Sequence, residues 1–451
     1  MSVINKILQR LGLSFTRIAI IENLFWAVIG KVVTLGTGFL GGVLVAHCLG
    51  PKDYGLMNYV LSYVAIFQAI ALFGLDNIEV REESRDTQKM EMKVGTAFFL
   101  KVFFAILLML ATIITAMMTE SDTYTILLIG LYTLSIIFNS FGVIRNFFIA
   151  KVENERVVKA EISRSLISLM LKVVLVFIGC PLVWFVFMFM FDNILLASGY
   201  ILAYRQADMR LHNWRFDKTY ARLLIIEAFP LMLTNTAVIL YQRIDTVMIG
   251  QMIDQESVGH FSVASRFVEM MIYVPIMLAQ TLTPVLVRIR EQDEAAYRDK
   301  AQQFLNITVW LSLLMAVLVM MLSGVMVRWT FGVQYLPAVA ILQVMAFKAV
   351  SVALSNSAGA MLITEGVQKY AIFRDLLGCI VCVVANYLFL PLYGVMAAAV
   401  IAIASNVVAG YIADAIIPAY RHIFVQQTRC ILYGWKDMLK IVSVVRERKL
   451  H

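Results

Sequence analysis

Two apolar runs joined by a short turn decide the fold of this chain. The first run is ENLFWAVIGKVVTLGTGFLGGVLVAH (residues 22–47), the turn is CLGPKDYG (48–55), and the second run is LMNYVLSYVAIFQAIALFGL (56–75). About 20 apolar residues are enough for one helix to span a bilayer. Because the first run is long, leads directly into a second and lacks a small-residue cleavage site, it predicts a membrane span rather than a removable signal peptide.

The overall composition agrees with these two runs. Of 451 residues, 61% are hydrophobic and 15% are charged, and the mean hydropathy is +0.81. Soluble proteins have about 45–50% apolar and about 25% charged residues. A single soluble core cannot hold this excess, so the composition excludes a soluble enzyme, and it equally excludes a disordered, collagen-like or disulfide-rich chain. The sequence predicts an all-α polytopic membrane protein.

Apolar segments continue along the whole chain and are separated by short loops. We predict about 12 transmembrane helices, at residues 22–47, 56–75, 94–118, 124–149, 160–180, 182–204, 223–249, 259–287, 302–325, 336–363, 370–390 and 394–418. No large soluble domain is inserted between them.

The basic residues are distributed unevenly between the two sides of these spans. Of the 38 Lys and Arg residues, 29 lie in segments on the N-terminal side, whereas the opposite loops hold only Lys52 and Arg328. Basic loops remain in the cytoplasm, so both termini are predicted to be cytoplasmic and the number of spans even. Apolar residues at helical spacing, interleaved with basic ones, predict an amphipathic segment at 1–19.

Seven basic residues fall inside the predicted spans, besides Arg145 and Arg374, which are counted with the N-terminal-side segments 145–159 and 364–374. A cation at mid-bilayer costs about 2.5–3.5 kcal/mol on insertion scales, so each one needs a partner, a wet cavity or access to the interface. Lys101, Arg164 and Lys172 lie near predicted cytoplasmic ends, and for these we expect snorkelling or pairing with Glu161.

Three further cations lie on polar stripes of three different helices. Lys31 lies among small residues of the first span, Arg266 shares a stripe with Glu269 and Tyr273, and Lys348 shares one with Ser355. Two interpretations remain open. The cations form interhelical ion pairs, for example Arg266 with Glu269, or they line a cationic central cavity that binds substrate.

The seventh span carries carboxylates that are candidates for ion coupling or ion pairing, as is Glu269. Glu227 and Asp245 share one face of this span, whereas Arg243 lies two residues from Asp245 and points nearly the opposite way on an ideal helix. We therefore expect Asp245 to face the cavity and leave the direction of Arg243 open, because both cannot face it unless the helix is distorted.

Signatures of enzymes are absent from the sequence. There is no phosphate-binding glycine loop, no H-x-x-H or H-E-x-x-H pattern, and the five histidines are scattered singly. We therefore predict that the protein is not an enzyme, and that it uses no metal site or cofactor. Without an ATP-binding motif, active transport would need an ion gradient, the membrane potential or the substrate gradient.

Three groups of short motifs occur in order along the chain. The first is Leu49-Gly-Pro-Lys-Asp-Tyr-Gly55, with Pro51, Tyr54 and Gly55 in a turn between two spans, followed by Asp76 and Arg81-Glu82 at the end of the second span. The others are Arg243 to Gly250 with Val258 to Ala264, and Phe331 to Tyr335 with Leu390-Pro-Leu-Tyr-Gly394. The set resembles the polysaccharide flippases, the Wzx or O-antigen type, of the multidrug/oligosaccharidyl-lipid/polysaccharide (MOP) superfamily.

The resemblance implies a fold and a domain organisation. In this family two six-helix bundles, related by a pseudo-twofold axis, surround a central cavity. Applied to this chain, the expected parts are a cytoplasmic amphipathic segment (1–19), an N-terminal bundle (20–204), a cytoplasmic linker (205–222), a C-terminal bundle (223–418) and a basic cytoplasmic tail (419–451). We expect a monomer, because each chain would contain both halves of the cavity.

The resemblance also implies a function. Such proteins move a polyprenyl-pyrophosphate-linked oligosaccharide from the cytoplasmic to the outer leaflet by alternating access, for O-antigen, capsule or exopolysaccharide synthesis. Related flippases carry important cations in the first, seventh, eighth and tenth helices, which here hold Lys31, Arg243, Arg266 and Lys348. The implied location is the bacterial cytoplasmic (inner) membrane.

The implied partners are the lipid-linked oligosaccharide, membrane lipid and, as a further candidate, a glycan polymerase or another assembly protein. No nucleic-acid partner is expected. The alternative function is a cation-coupled multidrug antiporter of the same superfamily, although a cavity for cationic drugs needs acidic residues. A membrane polymerase or ligase is disfavoured, because the longest outer loop has only about twelve residues and such enzymes usually carry a large one.

Overall fold

The computed structural model describes residues 15–85, 89–367 and 370–437, and within these ranges every regular element is helical. Residues 1–14 of the predicted amphipathic segment and 438–451 of the predicted basic tail lie outside the described residues. The predicted all-α class is confirmed.

Contacts along the chain divide it into two compact units. Unit 1 consists of the described part of Met1–Leu49 together with Tyr63–Thr236, and unit 2 consists of Gly50–Ser62 together with the described part of Ala237–His451. The expected division lay in a linker at 205–222. In the structure the division falls later, inside a continuous helix, and a short stretch of the first helix belongs to unit 2.

The helices follow one another with short connections. Helix α1 (Phe15–Ala71) contributes to both units, and α9 (Lys218–Met252) passes from unit 1 into unit 2. The other helices of unit 1 are α2 (Leu75–Arg85), α3 (Met90–Thr119), α4 (Thr123–Thr133), α5 (Ser135–Asn139), α6 (Gly142–Ala150), α7 (Asn154–Ile178) and α8 (Leu182–Gln206). Those of unit 2 are α10 (Gln255–Gln292), α11 (Glu294–Thr330), α12 (Ala338–Met345), α13 (Lys348–Glu365), α14 (Ala371–Tyr393), α15 (Val395–Val407), α16 (Ala413–Ile416) and α17 (Arg421–Tyr433).

The helices account for the predicted spans. Ten helical segments of the described residues are long and apolar enough to cross a membrane, and the first of them, Val28–Ala71, contains two predicted spans. The predicted span 160–180 corresponds to α7, which carries Glu161, Arg164 and Lys172 and is too rich in charge to be among the ten. The described residues thus contain about twelve helices of the kind predicted, in an all-α membrane protein.

The predicted turn lies where the long helix α1 breaks. Gly50 has φ +74° and ψ 174°, a conformation open to glycine and strained for residues with a side chain. Immediately after it, a Cβ atom on Gly55 would overlap the carbonyl oxygen of Gln255, and one on Gly259 would overlap the carbonyl oxygen of Pro51. The second half of α1 therefore begins pressed against the start of α10.

Aromatic residues of three motifs pack together beside this glycine contact. The ring of Tyr335 lies edge-on to Tyr54, with centroids 6.1 Å apart, and edge-on to His260 at 6.0 Å. Phe331 contacts Tyr335 at 5.8 Å and Phe267 at 5.7 Å. Motifs that are far apart in the sequence thus form one buried cluster in unit 2.

Buried ion pairs hold helices of unit 1 together. The Lys101 ammonium lies 2.7 Å from Asp76 and 2.8 Å from Glu79, and the Lys172 ammonium lies 2.8 Å from Asp192. The expectation that these lysines snorkel or pair with Glu161 was wrong. Lys101 is only 1% exposed, and its partners come from α2, a short helix that follows the second predicted span.

Candidate functional site

Unit 2 contains a cavity of about 480 Å³, within the range of about 300–1,000 Å³ that is usual for small-molecule sites. Helices α9, α10, α13 and α14 supply most of its wall, and the 50–62 stretch of α1 completes it. Its neutral polar side chains are those of Asn58, Ser62, Tyr241, Gln242, Thr246, Ser262, Ser265, Tyr273, Ser355, Asn356 and Asn406.

Four cations line this cavity. Arg243, Arg266 and Lys348 were identified from the sequence, on three separate helices, and the structure brings them together. The fourth, Arg374, was counted with the N-terminal-side segment 364–374 and not as a cavity cation, and it lies in the first turn of α14.

A carboxylate lies between two of the arginines. One oxygen of Glu269 is 3.4 Å from Nη1 of Arg243, and the other is 4.0 Å from Nη1 of Arg266. The side chains of Arg243 and Glu269 are about two-fifths exposed, and pairs this open contribute about 0–1 kcal/mol. The two interpretations of the sequence are therefore combined: a loose ion pair forms within a cation-rich cavity.

Asp245 occupies a closed position at the edge of the cavity. It is 1% exposed and accepts hydrogen bonds from Nδ2 of Asn386 at 2.7 Å and from the thiol of Cys382 at 3.3 Å, both in α14. Arg243, whose direction the sequence left open, borders the same cavity. Asp245 packs sideways against α14, whereas the long Arg243 side chain extends towards Glu269 of α10.

Arg374 is held in place by a buried network. Its Nη2 donates to Oγ of Ser355 at 3.0 Å, and its Nη1 lies 3.5 Å from Oδ1 of the fully buried Asp414. Gly410, in the π-helical turn Val408–Ile412, leaves room for Ser355 at this position, because a Cβ atom on residue 410 would overlap the Ser355 side chain. The sequence did contain a signal for this pair. Asp414 lies in the last predicted span, which has no Lys or Arg of its own, so its partner had to come from another helix.

The charges give the cavity its chemical preference. Its four cations face three lining carboxylates, those of Asp245, Glu269 and Asp375, and Arg374 also pairs with Asp414 behind the wall. In the part of the chain that the structure describes, no three His, Cys, Asp or Glu residues are grouped as metal ligands. Guanidinium groups beside hydroxyl and amide side chains suit an anionic, hydroxyl-rich ligand.

The remaining candidate residues belong to other places. Lys31 lies in unit 1 and is exposed, and its role stays a prediction. Glu227 forms an ion pair with Arg81, also in unit 1, and Asp76 accepts from Lys101. Glu227 therefore serves as an ion-pair carboxylate here, and Arg81 ties α2 to α9.

Comparison with solved structures places the fold among transporters of the MOP superfamily. A lipid II flippase MurJ in an inward closed conformation is 13% identical, with a TM-score of 0.69, covering 96% of this chain and 100% of that one. An inward-facing multidrug resistance transporter of the MATE family is 15% identical, with a TM-score of 0.66, covering 89% and 96%.

A third solved structure is a MOP superfamily transporter from Pyrococcus furiosus, described as having a binding pocket of reversed polarity. It is 13% identical, with a TM-score of 0.62, covering 92% of this chain and 96% of that one. A search of curated protein sequences gave no match.

The family is shown by the sequence itself. The model of the family described as "Polysaccharide biosynthesis protein" matches residues 44–340, more than half of the chain, and this range includes Arg243 and Arg266. The predicted membership in a polysaccharide-type family is thereby confirmed, and the solved proteins of similar fold are transporters. The chain belongs to the polysaccharide biosynthesis protein family and has the fold of the MOP superfamily.

Proposed function

We propose that this protein is a flippase that moves a polyprenyl-pyrophosphate-linked oligosaccharide from the cytoplasmic to the outer leaflet by alternating access. The observation that carries the proposal is the cavity of unit 2, where Arg243, Arg266 and Lys348 converge from three helices. A pyrophosphate group offers oxygens that guanidinium and ammonium groups bind through charge-assisted hydrogen bonds.

The neutral residues of the cavity suit the sugar part of this substrate. Tyr241 and Tyr273 offer aromatic faces and hydroxyl groups, and Asn58, Ser262 and Asn356 offer further donors and acceptors. The polyprenyl chain would remain in lipid, so the cavity needs to accommodate only the head group and the sugars next to it.

Two features of the relatives support transport of a lipid-linked molecule. The family is one of polysaccharide biosynthesis, and one protein of the same fold is a lipid II flippase. Inward-facing and outward-facing conformations are both known for a multidrug transporter of this fold, which supports alternating access here.

The energy source proposed for this transport is an ion or the membrane potential. Moving one net charge through 100 mV provides about 2.3 kcal/mol. Asp245 is the carboxylate best placed to bind a counter-ion, since it is buried beside the cavity and already accepts two hydrogen bonds. Flipping in vesicles that ignored both an imposed pH gradient and an imposed potential would contradict this coupling.

The proposed location is the bacterial inner membrane, with both termini in the cytoplasm. The excess of Lys and Arg in the loops on the N-terminal side supports this orientation. A monomer suffices, because the cavity of unit 2 is formed by one chain, and a glycan polymerase or another assembly protein is the proposed partner downstream.

The function is tested by lipid mass spectrometry on cells with and without the protein, with surface glycan measured in parallel. We expect polyprenyl-pyrophosphate-linked oligosaccharide to accumulate and surface glycan to fall, and the measured mass would identify the repeat unit. If neither changes while sensitivity to cationic drugs rises, the protein is a multidrug antiporter instead. The same assay on Arg298→Ala, an exposed arginine of unit 2 outside the cavity, provides a matched control for variants of cavity arginines.

A further inference from the structure

Helix α2 buries two glutamates on the face that packs inside unit 1. Glu79 and Glu83 are four residues apart, which places them on one side of the helix, and each is 1% exposed. Helix α2 lies outside the ten segments that are apolar enough to span a membrane. The two glutamates are thus buried in protein at the end of a span.

The first of these glutamates is paired with a cation and accepts hydrogen bonds on one of its oxygens. The Lys101 ammonium lies 2.8 Å from Glu79 and 2.7 Å from Asp76, and Nδ2 of Asn146 donates to Glu79 at 2.6 Å and to Asp76 at 2.8 Å. One buried cation thus already serves two carboxylates.

The second glutamate has no such partner. Both carboxyl oxygens of Glu83 are buried and lack a hydrogen-bond partner among the residues that the structure describes. The charged or titratable groups that face it are Glu79 on its own helix, Lys93 and Lys101 of α3, Lys151 after α6, Tyr204 of α8 and Tyr220 of α9.

The cations around Glu83 are engaged elsewhere. Lys101 is held by Asp76 and Glu79, Nζ of Lys93 donates to the backbone carbonyl of Glu82 at 3.3 Å, and Lys151 lies over the ring of Phe147 at 4.3 Å. An ionised Glu83 would therefore be a buried charge without a close counter-ion.

Such a carboxylate is much more costly to bury than the neutral acid. Burial raises the pKa of Glu83 well above its ordinary value, and the nearby Glu79 raises it further. A metal ion does not account for the arrangement, because Asp76, Glu79 and Glu83 do not form a group of metal ligands within the described ranges.

We propose that the buried face of α2 is a proton-binding site, in which Glu83 holds a proton in this conformation and releases it when α2 separates from α3. The ligand is a proton exchanged with the solution at this end of unit 1. The site consists only of residues of unit 1, so this proposal can be tested independently of the substrate proposed above.

The direct test is infrared spectroscopy of the purified full-length protein in lipid nanodiscs, titrated across neutral pH. We expect an absorption of a protonated carboxyl group to persist at pH values where exposed glutamates are ionised, above about pH 5 to 6. Glu83→Gln should remove this band, whereas Glu155→Gln, at a half-buried glutamate of unit 1 that is paired with Lys159, should leave it unchanged.

A second measurement uses thermal stability as a function of pH. Because the folded state holds this proton more tightly than the unfolded state, stability should fall as pH rises from the ordinary glutamate range to the raised pKa of Glu83. Glu83→Gln should match the wild type at low pH and become increasingly more stable than it as pH rises. Glu155→Gln should follow the wild type throughout.

Two results would overturn the proposal. One is a carboxyl band and a pH profile that are the same in Glu83→Gln and in the wild type. The other is loss of the band on addition of Na⁺ at constant pH, which would make the bound ion Na⁺ rather than a proton. Persistence of the band in Na⁺, together with its loss in Glu83→Gln, supports proton binding.

Discussion

Replacing Lys101 by Met should strongly destabilise unit 1. Lys101 is 1% exposed and its ammonium serves two carboxylates, those of Asp76 and Glu79, at 2.7 and 2.8 Å. Met has nearly the same length but no charge, so the substitution leaves the packing nearly intact and removes the counter-ion. The buried Glu79 carboxylate and the half-exposed Asp76 carboxylate then remain, with only Asn146 as a donor to both.

The expected magnitude follows from the burial of the pair. Removing one partner of a buried ion pair costs about 3–5 kcal/mol, because the other charge is left uncompensated. The matched control is Lys159→Met: Lys159 lies 2.6 Å from Glu155, but its side chain is 60% exposed. Exposed pairs contribute about 0–1 kcal/mol, so two lysines with similar contact distances should differ several-fold in effect.

The assay is reversible unfolding of the purified protein in mixed detergent and SDS micelles, with the free energy of unfolding extrapolated to zero SDS. Adding Glu79→Gln to Lys101→Met should recover part of the loss, since it removes one of the uncompensated charges. The loss should also shrink at low pH, where the carboxylates are protonated. Equal effects of Lys101→Met and Lys159→Met, or no recovery in the double variant, would refute the reasoning.

Three further predictions concern unit 2. Arg266→Ala should insert normally but weaken binding of a pyrophosphate-linked substrate about 10- to 100-fold, the equivalent of one charge-assisted hydrogen bond of about 1.5–3 kcal/mol. Binding assays and the accumulation of lipid-linked oligosaccharide measure this effect. Full activity of the variant at normal expression would contradict the prediction. Gly55→Ala should lower the melting temperature, because the added Cβ atom would overlap the carbonyl oxygen of Gln255. Gly36→Ala should not lower it, because Gly36 has open space around it. Equal melting temperatures of the two variants would disprove the close contact. Asp245→Asn should retain the fold but lose dependence of transport on an imposed pH gradient or potential; unchanged dependence in vesicles would exclude Asp245 from coupling.

The sequence was sufficient for the fold class and for most of the cavity. Apolar run length identified the spans, and the cost of a cation in the bilayer drew attention to seven residues, of which Arg243, Arg266 and Lys348 line one cavity. These inferences succeeded because they rest on the solvation of each residue, which depends little on its tertiary neighbours.

The partners of the buried charges could not be predicted in the same way. Lys101 pairs with carboxylates more than 20 residues earlier, and Arg374 pairs with Asp414, 40 residues later. Such pairs depend on which helices pack together, and periodicity within one helix carries no information about this. Arg374 was also counted outside the membrane, because its position at the very start of an apolar run is compatible with either environment.

The ion pair between Lys172 and Asp192 has a consequence for how the protein enters the membrane. The two residues lie in consecutive helices, α7 and α8, separated only by Gly179, Cys180 and Pro181. Inserted singly, each helix would carry an unpaired charge at a cost of up to about 2.5–3.5 kcal/mol. Inserted together as a hairpin, the helices neutralise each other's charge before either meets lipid. We therefore expect α7 and α8 to insert together as a pair. Helix α7, with Lys172, should remain at the translocon until Asp192 of α8 has been synthesised.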